Sequence, residues 1–245
     1  MLTQLPFITF LSFFLGASVA SFLYAWTLRL KSKKESILDR SKCRFCNKKL
    51  SATELIPVFS WAFQRGKCLC KKYSLTKDYV IAELFLGVIF ALIPFYFHGL
   101  SIIFIFFFAA ALFFFFLTDF HYQLLHMPAM MTTLFAGLLF HASVDQDIAL
   151  SLWGAAFGFG ILFFIDFLYR FFRKKQGLGN GDKYLMAAIG AWIGPIKILA
   201  TLFFASWIAT LWAIYLIYRK RADLMTKIPL GVFISIATPI TYFLL

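Results

Sequence analysis

The sequence predicts an all-α polytopic membrane protein of about eight transmembrane helices, with one small polar insertion after the first helix. Two observations carry that reading. The hydrophobic fraction is 62%, the mean hydropathy +0.82 and the charged fraction only 14%. A soluble domain of 245 residues could not hide so much apolar surface, so its solvent is lipid. The apolar residues also gather into separate runs, most of them near the ~20 residues that a bilayer-crossing helix needs.

In chain order the runs are 5–30, 79–97, 100–118, 128–144, 148–170, 183–194, 196–218 and 228–245. The first is read as a retained helix. Its opening, "MLTQLPF", lacks the positive start of a secretory signal, and the run is longer than a signal's apolar core. "ASVA" at 17–20 has the small residues of a signal-peptidase site, but such residues also serve helix contacts in membranes. The sixth run, at about 12 residues, is short for a span and predicts a helix that is tilted, half-buried or broken near Pro195.

Charge sets the topology. Of 24 Lys and Arg, 14 lie between Arg29 and Lys77, five between Arg170 and Lys183, and four between Arg219 and Lys227. Alternate threading of eight spans puts all three clusters on one side, which the positive-inside rule makes the cytoplasm. Both termini then face outward. The net charge of +13 therefore records topology and contact with anionic membrane lipids, and nucleic acid is not an expected partner.

Residues 31–78 form the sizeable polar stretch and hold all four cysteines, Cys43 and Cys46 in "CRFC" and Cys68 and Cys70 in "KCLC". In a reducing cytosol disulfides are disfavoured. Two close pairs about twenty residues apart read as a zinc-ribbon-like knuckle, a closed four-thiolate site that is structural rather than catalytic. Reduced cysteines without metal are the alternative. The chain thus divides into a first helix (1–30), this cysteine-bearing segment (31–78) and a membrane core (79–245).

With 11 Asp plus Glu in the whole chain, each acid beside an apolar run needs a reason. "FFFAAALFFFFLTDF" (106–120) carries Asp119 near its end, and "RKKQGLGNGDKYL" carries Asp182. Threading puts both at cytoplasmic span ends, at one membrane depth. That suits an aspartyl protease: two adjacent carboxyl groups do not both ionise readily, so one activates water while the protonated one polarises a carbonyl. Gly177, Gly179 and Gly181 would let an extended substrate lie against the acids. The plainer reading of Asp182 is an acid at a helix N-terminus.

Asp166 lies four residues before Arg170, an i,i+4 pair that would explain it structurally. Glu83 sits about one turn inside the second span, and either bonds a neighbouring helix or serves a site. His121 and His126 flank Asp119 and read as surface residues rather than ligands. A transporter would carry its acids near mid-bilayer, so acids at span ends disfavour that class. A catalytically inactive assembly scaffold is the third reading, which the intact pair of acids argues against.

These residues together resemble the type IV prepilin leader peptidases, membrane-embedded aspartyl proteases of the GxGD class. "GASVASFLYAWTLRL" (16–30) is similar to the family's first-helix signature, with Ala20 and Tyr24 where Gly and Asn are usual. "ELIPVFSWAFQRGKC" (54–68) is similar to the segment joining the family's two cysteine pairs. "DFHYQLL" (119–125) and "GLGNGDKYLMAAIGAWIG" (177–194) resemble the motifs of its two catalytic aspartates. The second pair is CxC where CxxC is usual, His126-Met127-Pro128 replaces a Pro-Asp, and Lys183 stands one place early. The resemblance implies Asp119 and Asp182 as catalytic dyad and type IV pilin-like or pseudopilin preproteins as substrates. It implies a bacterial inner-membrane location and, in many members, methylation of the new N-terminus by S-adenosylmethionine.

Overall fold

The computed structural model describes residues 5–30, 57, 77–174, 179–219 and 228–244. They form α1 (Leu5–Leu30), α2 (Lys77–Tyr96), α3 (Ser101–Tyr122), α4 (Met127–Phe140), α5 (Ile148–Arg173), α6 (Asn180–Tyr218) and α7 (Leu230–Leu244). Among the described residues six helices are long and apolar enough to cross a membrane, and α7 is a shorter apolar helix. The protein is a multi-pass membrane protein. The eight apolar runs read from the sequence fall on seven helices among the described residues, because the sixth and seventh both lie in α6; six candidate spans and one shorter helix stand where the sequence predicts about eight spans. The zinc-ribbon-like segment falls outside the described residues, with Cys43, Cys46, Cys68 and Cys70.

Two compact units divide the chain, Met1–Phe114 and Phe115–Leu245, the boundary falling within α3. In the first, small residues bring α1 and α2 together. A Cβ on Gly16 would stand 2.7 Å from the Leu86 carbonyl oxygen, and one on Gly87 would stand 2.9 Å from the Phe13 ring. Small residues permit such approach where lipid offers no hydrophobic drive between helices. Part of the phenylalanine wall packs here: Phe106 stacks on Phe90 at 4.5 Å, and Phe114 meets Trp26 at 4.6 Å.

The second unit is organised around α6. Ser151, Gly154, Gly158, Leu162 and Asp166 recur at helical spacing on α5 and are all buried. Backbone meets backbone along this stripe, Gly154 against the Gly190 carbonyl and Gly158 against the Met186 carbonyl. Helix α6 is interrupted at Gly194 (φ 78°, ψ 176°), just before Pro195, where the sequence predicts a break.

The interruption strands carbonyls. Pro195 has no N–H for the Ala191 carbonyl four residues back, and the Ser151 hydroxyl donates to that oxygen at 2.6 Å. His141 Nε2 lies 3.2 Å from the Trp192 carbonyl, and the Trp192 indole donates to Thr133 on α4 at 2.8 Å. Helix α5 therefore satisfies, through Ser151, the carbonyl that Pro195 leaves without its helical partner.

Gly154→Val would drive a branched side chain into the Gly190 backbone, a strain of about 1–3 kcal/mol or more. Thermal unfolding in detergent should show a lowered midpoint. Gly160→Ala, on the same helix with nothing within 4 Å of an added Cβ, should leave it in place.

Candidate active site

The last turn of α3 carries Asp119. Gln123 ends the helix in the left-handed region (φ 50°), its N–H closing on the Asp119 carbonyl at 2.9 Å. The chain then turns through Leu124–His126 into α4. The Asp119 side chain is only 5% exposed. Its Oδ2 accepts the Val232 N–H at 3.0 Å and lies against the backbone of Gly231. Both residues belong to the first turn of α7, where N–H groups have no partner within the helix and the dipole favours negative charge.

Asp182 is the third residue of α6, after the N-cap Gly179, and is 9% exposed. Its N–H donates to the Gly179 carbonyl at 3.3 Å, and the Gly179 N–H donates back to its carboxylate. Both aspartates are thus held by the start of a helix, Asp182 by its own and Asp119 by α7.

Glycine is required at both holds. A Cβ on Gly231 would stand 2.8 Å from Asp119 Oδ2, and one on Gly179 would stand 2.7 Å from Asp182 Oδ2. Leu125 links the two places. Its side chain lies 3.0 Å from where a Cβ on Gly181 would be and 3.3 Å from where one on Gly231 would be. The holds of the two acids thus lie on either side of one side chain, that of Leu125.

Of the residues singled out in the sequence, Asp119, Asp182, Gly179 and Gly181 come together. Gly177 lies outside the described residues, as do the four cysteines. His121 is exposed, with Nδ1 3.0 Å from the Leu117 carbonyl, and His126 is the N-cap of α4 without a side-chain capping bond. Glu83 is buried on α2 in the first unit. Asp166 pairs with Arg170 at 2.9 Å as its spacing predicts, and also with Lys183 at 3.0 Å. Among the described residues no group of three or more His, Cys, Asp or Glu is placed to hold a metal.

Sequence reasoning placed an apolar run at 228–245 but missed that the start of α7, and Leu125, belong to the site. The signal for α7 was "IPLGVF" (228–233), a proline and glycine opening an apolar run just after a basic cluster. Leu125 carries no signal, being one leucine among many.

A multi-pass membrane protein with two acids brought together at helix ends is the class that fold and site define. Residues 106–214 match the type IV leader peptidase family, and residues 14–97 match the bacterial peptidase A24 N-terminal domain. The prepilin leader peptidase/N-methyltransferase of Stutzerimonas stutzeri is 29% identical over 206 residues, 82% of this chain and 70% of that protein. The protein of the same name from Dichelobacter nodosus is 28% identical over 214 residues, 86% and 73% of the two chains. That of Bacillus subtilis is 29% identical over 239 residues, 94% and 92%. No solved structure matches the chain. The chain belongs to the type IV leader peptidase family.

Gly231→Ala should displace the Asp119 carboxylate while leaving the helices formed. Peptidase turnover is expected to fall by about tenfold or more, with the unfolding midpoint close to that of the parent protein. Parallel cleavage and melting measurements on this variant and on Gly160→Ala provide the check.

Proposed function

We propose that this protein cleaves the basic leader of type IV pilin-like preproteins at the cytoplasmic face of the bacterial inner membrane, with Asp119 and Asp182 as the catalytic pair. The observation that carries the reading is the meeting of these two acids around Leu125 and their flanking glycines. Family membership and the names of the relatives support it. The basic clusters at 29–77 and 170–183 support the cytoplasmic placement, since alternate threading of α1 to α5 sets both of them and the end of α3 on one side.

The chemistry follows from sharing one proton between two carboxyl groups. The ionised carboxylate takes a proton from water as the water oxygen attacks the scissile carbonyl carbon. The protonated partner gives its proton to the carbonyl oxygen, and a tetrahedral diol forms. The C–N bond then breaks as the leaving amine takes a proton from the pair and the diol closes to the leader's new carboxyl group. Gly179 and Gly181 keep side chains away from the line of an extended peptide. A preprotein changes there from basic leader to apolar helix, so acids at a helix end meet the bond to be cut.

A second activity is proposed, methylation of the new N-terminal amine; the relatives named above carry N-methyltransferase in their names. S-adenosylmethionine would supply the methyl group, and the amine that receives it would have to be uncharged. Cys43, Cys46, Cys68 and Cys70 are proposed to hold a structural zinc. That reading rests on their spacing, and no step of cleavage passes through it.

Asp119→Asn and Asp182→Asn should each lower leader removal by about a thousandfold or more in purified, folded protein. Mass spectrometry of a prepilin substrate reads the outcome, and cleavage at the parental rate by either variant would sink the dyad. The rate of the parent enzyme should describe a bell against pH, because one carboxyl must be ionised and the other protonated. Metal analysis should find about one zinc per chain, lost in Cys46→Ser.

A further inference from the structure

We propose that Asp166 is a positioning residue for Asp182: through Lys183 it fixes the first turn of α6 and thereby the carboxylate that Asp182 turns toward Asp119. The role rests on the proposed aspartate dyad and adds to it a residue on another helix.

Asp166 ends the stripe of Ser151, Gly154, Gly158 and Leu162 that packs α5 against α6, and it is 3% exposed. Along that stripe the glycine contact nearest to Asp182, Gly158 against the Met186 carbonyl, lies four residues beyond it. The turn that carries the acid therefore begins about one helical turn before that contact. It also contains Gly179 and Gly181, whose backbones are the freest to move.

A tether of another kind acts there. Lys183, the residue after Asp182, donates to Asp166 Oδ2 at 3.0 Å, and its side chain is 12% exposed. Its ammonium group also lies 5.9 Å from the centre of the Phe163 ring. Arg170 takes the same Asp166 oxygen at 2.9 Å and reaches Asn180, the first residue of α6, at a long 3.5 Å. Two cations thus converge on Asp166, and both lead to the turn of Asp182.

Burying a carboxylate costs desolvation that a pair does not fully return, so stability is a weak reason for this arrangement. Fixing the rotation of α6 is a stronger one. Rotation about a helix by one residue is about 100°. Lys183 held against α5 therefore determines where Asp182, its neighbour, points.

The test uses full-length protein in detergent, prepilin substrate and the variants Asp166→Asn, Lys183→Met, Lys183→Arg and Asp166→Asn/Lys183→Met. The two single removals should each lower kcat by about 10- to 100-fold with KM within about twofold, the pattern of a misplaced catalytic group. The double variant should be no slower than either single one, because both delete the same tether. Lys183→Arg, which keeps charge and hydrogen bond, should recover most of kcat. Hydrogen exchange at residues 180–186 should accelerate in Asp166→Asn while residues 148–162 stay protected.

Lys183→Met leaves Asp166 paired with Arg170, so it supplies the same comparison if Asp166→Asn does not fold. A kcat within twofold of the parent, additive losses in the double variant, or a raised KM with kcat preserved would each overturn the role. If the parent protein leaves prepilin uncut, the dyad reading fails. Exchange at 180–186 would then still test the tether, and unchanged exchange there would overturn it too.

Discussion

Two buried carboxyl groups, Asp119 and Asp182, stand at helix ends on either side of Leu125, and holding them there governs the second unit of this protein. Neither group would be tolerated there without hydrogen-bond donors. The start of a helix is an economical source of them, because its first N–H groups have no partner in the helix. Asp182 uses the N-cap amide of α6, and Asp119 uses a first-turn amide of α7. Each acid is held by backbone, which leaves side-chain volume around the pair low.

Backbone donors impose a cost in local order. Both holds need glycine, since a Cβ on Gly179 or Gly231 would press on the carboxylate it faces. The same residues loosen the turns they belong to. Rigidity has to come from elsewhere, and α5 supplies it twice: through the Gly154 and Gly158 contacts in the middle of α6, and through Asp166 at its start. The Ser151 hydroxyl answers the break at Gly194–Pro195 in the same manner, meeting the Ala191 carbonyl that Pro195 cannot, and His141 Nε2 lies beside the next carbonyl, that of Trp192. Loose ends and firm crossings in α6 are thus consequences of one arrangement.

Much of this was legible in the residues. Hydropathy located every described helix, since an apolar run long enough to span a bilayer has few other uses. Pro195 marked the interruption of α6. Scarcity made Asp119 and Asp182 conspicuous, and the glycines before Asp182 announced a close approach. The i,i+4 spacing of Asp166 and Arg170 was also readable, and it hid the more consequential partner, Lys183, seventeen residues away on another helix. The stripe of Ser151, Gly154 and Gly158 was present in the sequence as small residues at helical spacing, but spacing does not name the helix that faces it.

The chain's apolar runs, rare acids and basic clusters depend on residue type and local order, and those are what a sequence records directly. The holds on the acids are of a different kind. Val232 donates to Asp119 across 113 residues through its backbone N–H, a group every residue but proline possesses. Leu125 earns its place between Gly181 and Gly231 by shape alone. Backbone donors and fit carry no signature in side-chain chemistry, so only the folded arrangement of α3, α5, α6 and α7 selects which of many equivalent amides and leucines meet the two carboxylates.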